Sequence, residues 1–391
     1  MLSILFWTLL GLLFYTYIGY GLILSLLVGI KKIRATSKEF TTLPDDELPT
    51  VTIVIAAYNE EGYIREKLQN TLQLDYPAAR REVVVVTDGS TDSTPEIAQE
   101  FPMVRVMHQP ERRGKVAAIN RIMPLVESAV TVFTDANTEL PPHALRALAA
   151  PFADARVGAV AGEKTVYQPD AAEAAAAGEG MYWKYESWLK RLDAEYNTIV
   201  GAAGELLALR TDEFIAVPED TVIEDFVLSL KIAAKGLRVA YAPEALALEK
   251  ASANVQEEQK RKVRISAGAF QAMQRLGSLL NPLRHGRLTF QLVSHRLLRW
   301  TAGPLALAAL IPLNGVLAAL QGGLYGWLLL GQAAFYLLAF LGSAFQNRKV
   351  PVKGFFVAYY FLMMNWCVWL GFRRYLRKEQ STHWEKALRA A

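Results

Sequence analysis

Met1 to Ile30 contains no charged residue, and Lys31, Lys32, Arg34 and Lys38 follow at once. In hydrocarbon every backbone polar group must be satisfied within its own segment, so an apolar run of this length is expected to form a helix. At 1.5 Å per residue, about 20 residues already cross a ~30 Å bilayer core. A cleaved leader would carry its positive charge before the apolar core. Here the order is reversed, which predicts a retained span with the N-terminus outside and residue 31 onward in the cytoplasm.

Apolar residues make up 52% of the 391 residues, concentrated at the two ends of the chain. Thr301 to Gln346 is a second charge-free run, interrupted by Gln321-Gly322-Gly323, and reads as two spans joined by a tight turn. Arg348, Lys349 and Lys353 then precede a third apolar run, Gly354 to Phe372. Four full spans put the tail outside, whereas Arg373, Arg374, Arg377 and Lys378 argue for inside. A spanning and a re-entrant last segment both stay open at this point.

The net charge of +4 comes largely from these membrane-flanking lysines and arginines. No long basic face interleaved with aromatics occurs, so nucleic-acid binding is not expected. Cys367 is the single cysteine, which excludes a disulfide framework and a cysteine-based metal site. The spans hold no ionisable residue to mark a transport pathway. The expected organisation is a transmembrane helix at 1–30, a linker at 31–48 and a catalytic domain at 49–250. Interfacial helices at 251–300, a membrane region at 301–372 and a basic tail at 373–391 follow. His285 and His295 fall in the interfacial stretch, with no metal role expected.

The central part alternates strand and helix. Val51–Ala57 is a continuous apolar and β-branched run, the pattern of a strand buried on both faces. Asn59 is placed to cap a helix from Glu60 to Leu72. Strands are predicted at 83–87, 104–108 and 130–134, with helices near 95–100, at 115–126 and after Pro141-Pro142. This repetition predicts an α/β fold with a mainly parallel, Rossmann-like sheet. Ligands of such sheets bind beyond the carboxyl ends of the strands. Three polar clusters lie there: Tyr58-Asn59-Glu60, Asp88-Gly89-Ser90 and Asp135-Ala136-Asn137. The G-x-G-x-x-G of a dinucleotide binder is absent after the first strand, which disfavours a nicotinamide or flavin enzyme.

The motifs, in order, are VTIVIAAYNEE at 51–61, VVVVTDGSTD at 83–92, RRGKVAAIN at 112–120, FTDANTEL at 133–140, GAAGELLALR at 201–210 and VIEDFVLSLKIAAKG at 222–236. With the flanking spans, this chain resembles family 2 glycosyltransferases of the GT-A fold, in the membrane-bound group that includes cellulose, hyaluronan and poly-N-acetylglucosamine synthases. The resemblance implies a nucleotide-sugar donor, a UDP-sugar in the first instance, and Mg²⁺ or Mn²⁺. Donor contacts then fall on Ala57, Tyr58, Glu60, Asp88, Gly89, Arg113, Lys115, Asp135, Ala136 and Arg264. Asp88 would accept from the base, and Arg264 matches the arginine of the Q-x-x-R-W signature. Asp135 and Asn137 occupy the metal-binding D-x-D position. Asp225 matches the catalytic base, with Glu224 beside it, and Gly201, Gly204 and Glu224 face the acceptor.

The sequence departs from the pattern twice. Asn137 replaces the second acid of D-x-D, and Arg261-Lys262-Val263-Arg264-Ile265 replaces Q-x-x-R-W without its glutamine and tryptophan. The expectation is therefore an inverting transferase acting on a lipid-linked or membrane-proximal saccharide acceptor at the plasma membrane. A processive synthase that also exports its product, and a non-catalytic membrane scaffold, are the alternatives. Arg261 and Lys262 are expected to meet anionic lipid heads. Trp183 and its aromatic neighbours are expected in packing, with acceptor contact the lesser reading.

Overall fold

The structure, a computed structural model, describes residues 1–34, 43–167, 174–250, 252, 254–345 and 353–379. The expectations for Lys38, Arg348, Lys349 and the tail beyond Glu379 lie outside these residues. The N-terminal run is one continuous helical rod: α1 (Leu2–Phe14), a π turn at Tyr15–Gly19, and α2 (Tyr20–Arg34).

The central α/β domain follows as β1 (Val51–Ala57), α3 (Glu61–Leu72), β2 (Arg81–Asp88), α4 (Thr94–Gln99), β3 (Val104–Gln109), α5 (Lys115–Ile122), β4 (Val130–Asp135), α6 (Ala144–Ala149), β5 (Val157–Tyr167), α7 (Ala174–Tyr196), β6 (Leu206–Arg210), α8 (Glu224–Ala234) and β7 (Arg238–Lys250). The seven strands lie in the order β3-β2-β1-β4-β6-β5-β7. β3, β2, β1 and β4 are mutually parallel, as the alternation predicts. β6 runs antiparallel to both β4 and β5, so the sheet is mixed on that side. Neither the helix pattern nor the short strand LLALR signals this reversal.

Register decides what the sheet presents. Ala57 pairs with Thr87, and Ala56 with Asp135, so β1, β2 and β4 end level with one another. Because β6 is reversed, its first residue, Leu206, sits beside Thr134, and the loop 201–205 arrives at the same edge. All seven residues of β1 are buried, between two apolar layers. At about 1.5–3 kcal/mol for each fully buried aliphatic side chain, this packing holds the strand ends rigid.

Asn59 does not cap α3. It sits in the left-handed region (φ 53), and its Oδ1 accepts from the Thr91 amide at 2.8 Å. The caps cross between helices instead. Asp92 accepts from the Glu61 amide at 3.1 Å, and Glu61 accepts from the Ser93 amide at 3.2 Å, which clamps the two strand-end turns together.

The C-terminal part comprises α9 (Val255–Arg275), α10 (Pro282–His285), α11 (Arg287–Leu292), a π turn at Val293–Leu297, α12 (Leu298–Trp300), α13 (Ala302–Gln321), α14 (Gly323–Phe345) and α15 (Lys353–Leu376). Four helical stretches are long and apolar enough to cross a membrane: Leu2–Ile33, Ala302–Gln321, Gly323–Phe345 and Phe355–Leu376. The turn between α13 and α14 is made by Gly322 and Gly323, both at positive φ. The last apolar run is a continuous helix, long enough to span, that packs against α9 along its length.

The lysines that end the first apolar run do more than flank it. The Lys31 ammonium donates to the carbonyls of Glu195 (2.7 Å) and Tyr196 (3.1 Å), capping the C-terminus of α7 where a cation is favoured. Lys32 pairs with Glu195 at 2.9 Å. Tyr20, Leu24 and Val28 pack on Leu189 and Leu192 of α7, so the rod is part of the domain core. The stretch expected to be interfacial is likewise docked into protein. His295, Gln291, Thr289 and Ser294 are all buried. Gln291 and His295 meet Asp193 of α7, Ser294 meets the Tyr15 hydroxyl of the rod, and Thr289 donates to the carbonyls of Leu279 and Asn281.

Candidate active site

A cavity of about 580 Å³ opens at the level edge of the sheet. Its walls include Tyr58, Glu60, Lys115, Asp135, Asn137, Gly201, Gly204, Glu224, Asp225 and Arg264. Ala57 and Asp88 line a smaller adjoining recess that shares Tyr58 and Lys115 with the main cavity. Three predicted residues are directed elsewhere. Ala136 is buried in the apolar core. Arg113 extends outward to Glu219 at 2.7 Å. Gly89 (φ +68) passes so close beneath Arg112 that an added Cβ would come within 2.6 Å of the Arg112 Cβ.

Asp88 ends β2 and is buried. Its Oδ2 accepts from the backbone amides of Arg113 (2.9 Å) and Gly114 (2.5 Å), which shapes the loop into α5. Its Oδ1 has no hydrogen-bond partner among the described residues. A buried carboxylate oxygen without a donor costs about 1–3 kcal/mol or more, so a ligand N–H is the natural complement. Over the neighbouring recess, the Arg112 guanidinium lies 3.8 Å from the centre of the Tyr58 ring.

Lys115, the first residue of α5, ties the end of β4 to the start of α8. Its ammonium is 2.9 Å from Asp135 Oδ1, at the end of β4, and 3.0 Å from Glu224 Oε1, at the start of α8. Burial works against its charge, but Asp135 and then Glu224 hold the ammonium above its ordinary range. Asp135 is itself pushed up by burial, with Lys115 opposing.

Asp225 is the cavity acid whose carboxyl is raised furthest. Burial pushes its carboxyl up to about 7, the neighbouring Glu224 adds to the rise, and Lys115 opposes it. The loop 201–204 keeps the space before it open. A Cβ on Gly204 would lie 3.4 Å from Asp225 Cγ. Gly201 (φ +98) is packed so that a Cβ would meet Phe226 Cδ2 at 2.3 Å. No other residue type fits there without displacing the turn.

Asp135 and Asn137 present hard oxygen donors of the kind Mg²⁺ and Mn²⁺ prefer. The Asn137 amide nitrogen donates to Glu249 at 3.2 Å, which leaves its oxygen available. Among the described residues, no group of three or more His, Cys, Asp or Glu side chains is arranged to hold a metal ion. The residues fit a cation whose shell is completed by ligand phosphate oxygens or water.

Further residues form the wall or back it. Lys164, 1% exposed, bridges Glu205 and Glu249, and Lys164 overrides burial to hold the Glu205 carboxyl well below its usual range. Glu205 follows Gly204 directly, inside the GAAGELLALR motif. Arg261 and Lys262 turn inward, against the expectation of lipid contact. Arg261 pairs with Glu258 at 2.9 Å, and the Lys262 ammonium lies 4.6 Å from the Tyr182 ring centre. Arg264 lines the cavity without an ion-pair partner among the described residues. Tyr182, Trp183 and Trp300 also reach the wall, and Trp300 packs edge-on against Phe226, the neighbour of Asp225.

Residues 52–212 match the model of glycosyl transferase family 2. The chain carries a family 2 glycosyl transferase domain. It is 31% identical over 168 residues to a beta-monoglucosyldiacylglycerol synthase of Nostoc sp., covering 41% of this chain and 34% of the relative. It is 25% identical over 229 residues to a poly-beta-1,6-N-acetyl-D-glucosamine synthase of Staphylococcus aureus, covering 55% of this chain and 53% of the relative. The chain thus spans about a third to a half of the length of these relatives. A solved mannosyltransferase from Pyrobaculum calidifontis, in complex with GDP-Man and Mn²⁺, superimposes with a TM-score of 0.73 at 22% identity. That likeness covers 97% of this chain and 100% of the other, so the shared fold extends over the four long apolar helices as well as the sheet.

Proposed function

We propose that the protein is an inverting glycosyltransferase that moves a sugar from a nucleotide-sugar donor to a lipid-linked or membrane-proximal acceptor. The observation that carries this reading is the convergence of Asp135, Glu224 and Asp225 around Lys115 in one cavity, beside the unpartnered oxygen of Asp88. In the proposed donor complex, Asp88 Oδ1 accepts a ring N–H of the base, which uracil and guanine both offer. Arg264 and Lys115 face the diphosphate. Asp135 and Asn137 hold Mg²⁺ or Mn²⁺, which when bound supplies Lewis-acid stabilisation of the departing phosphate oxygens.

Asp225 takes the proton from the acceptor hydroxyl. The freed oxygen bonds to the anomeric carbon while the bond from that carbon to the phosphate oxygen breaks, and the nucleoside diphosphate leaves with the electron pair. With base and leaving group on opposite faces of the sugar, the anomeric centre inverts. A carboxyl poised near 7 is well matched to this role, because general-base efficiency is greatest when the pKa lies near the working pH. Gly204 leaves room for the acceptor in front of Asp225.

The domain is assigned to the cytoplasmic face of the plasma membrane, with the N-terminus outside, from the lysines and arginine that follow the first span. A membrane-proximal acceptor suits a cavity walled by α9, which α15 covers. Single or few additions are favoured over processive synthesis, since Ile265 stands where the signature tryptophan would stack on a polymer.

A panel of UDP- and GDP-sugars, assayed for nucleotide release from the full-length protein in lipid nanodiscs, tests the reading. Release from one donor class, lost in Asp88→Asn, is expected. Intact folded protein releasing nucleotide from none of them would leave the scaffold alternative. Sizing labelled product separates single addition from polymerisation.

A further inference from the structure

The cavity acids meet an internal cation before any ligand arrives. Lys115 is fixed by its place at the start of α5 and by two short ion pairs, and its side chain is only 18% exposed. Asp135, the one carboxylate of the D-x-N pattern, has Oδ1 committed to that ammonium. Its companion is a neutral amide, and among the described residues no third acid or imidazole completes a metal shell.

We infer that Lys115 is a charge gate: it closes the Asp135 position to a bare divalent cation, so that metal enters only together with a nucleotide diphosphate. This rests on the donor reading above. A divalent ion placed on Asp135 alone would sit within a few ångströms of a fixed ammonium in a poorly solvated cavity, where like charges repel strongly. A diphosphate changes the balance. Its oxygens complete the shell of the cation and also offer the ammonium a second anionic partner. Lys115 then exchanges Asp135 for a phosphate oxygen while Glu224 retains its other side. When the nucleoside diphosphate leaves, Lys115 returns to Asp135 and the metal departs with the product. Donor and metal binding are therefore coupled, and by linkage each raises the affinity of the other equally.

The test is Mn²⁺ binding to the full-length protein in nanodiscs, read from loss of the free Mn²⁺ EPR signal, with and without UDP or GDP. Wild type is expected to bind at least tenfold more tightly with a nucleotide than without. Lys115→Met is expected to bind Mn²⁺ alone at least tenfold more tightly than wild type, and the charge-preserving Lys115→Arg to follow wild type. Wild type binding Mn²⁺ equally tightly in the presence and absence of nucleotide overturns the gate, whether or not Lys115→Met folds. Folded Lys115→Met with wild-type affinity for Mn²⁺ alone overturns it as well. Sugar turnover by a wild type whose Mn²⁺ site needs no nucleotide would remove the gate and leave the transferase. Nucleotide-dependent Mn²⁺ binding without turnover of any donor would do the reverse.

Discussion

Acidification is expected to switch the protein off with a midpoint near pH 7, well above the range of an ordinary carboxylate. The perturbed group is Asp225, pushed up to about 7 by burial and then by Glu224. Only the ionised carboxylate can take the acceptor proton, so the rate follows the ionised fraction and rises with pH. Half ionised at 7, the group is about one-tenth ionised at pH 6, and kcat/KM is expected to fall about tenfold for each unit below that. The relevant profile is that of kcat/KM, which reports the free enzyme, the state described here. Glu224→Gln removes a charge that holds Asp225 up, and is expected to move the acid limb down by about one pH unit, or about 1.4 kcal/mol. Asp225→Asn is expected to keep nucleotide binding and lose about 10²–10⁴ in turnover, or about 2.7–5.5 kcal/mol at the transition state. The assay is nucleotide release between pH 5.5 and 9, with nucleotide affinity measured separately by calorimetry. A flat profile through pH 6, or near-normal turnover in Asp225→Asn, would remove Asp225 as the base.

Gly201→Ala places a Cβ at 2.3 Å from Phe226 at a positive φ; strain of about 1–3 kcal/mol is expected, seen as a lower melting temperature together with reduced kcat. Glu186→Gln removes the buried carboxylate that faces Arg296 and Arg299; stranding the two arginines is expected to cost about 3–5 kcal/mol in thermal unfolding. Arg264→Met is expected to raise the donor KM about tenfold, about 1.4 kcal/mol, with the melting temperature unchanged.

The parallel half of the sheet was legible because each strand is a short apolar run closed by a polar turn. Its level ends, which bring Tyr58, Asp88 and Asp135 to one edge, follow from register once the strands pair in parallel. β6 was not legible, since five residues of LLALR carry no direction, and its reversal is what delivers Gly201–Glu205 to the site. Asn59 misled for a related reason. A side chain that commonly caps a helix also tolerates the left-handed region, and here the turn geometry won. The ionic walls were least legible. Lys164, Glu205 and Glu249 come from different strands or loops, and nothing local marks them as partners. Arg261 and Lys262 read as lipid contacts because charge beside a span usually is. Glu258, one turn earlier on α9, turns both inward.

The same kind of long-range pairing joins the membrane anchor to the chemistry. The Tyr20 hydroxyl of the N-terminal rod donates to Asp193 at 2.5 Å, and Asp193 also meets His295 Nδ1 at 2.5 Å. His295 faces Glu186 at 3.5 Å, Glu186 holds Arg296 at 3.1 Å, and Arg296 donates at 3.0 Å to the carbonyl of Val200, the residue before Gly201. A line of buried polar groups thus runs from the apolar rod to the loop that faces Asp225, with a contact that is not a hydrogen bond between His295 and Glu186. Its members are costly to leave unpaired, so the rod, α7, α11–α12 and the 201–204 loop must be ordered together. The N-terminal helix is therefore built into the domain. It fills one end of a network whose other end holds the loop before Asp225, and α2 packs on α7 through Tyr20, Leu24 and Val28.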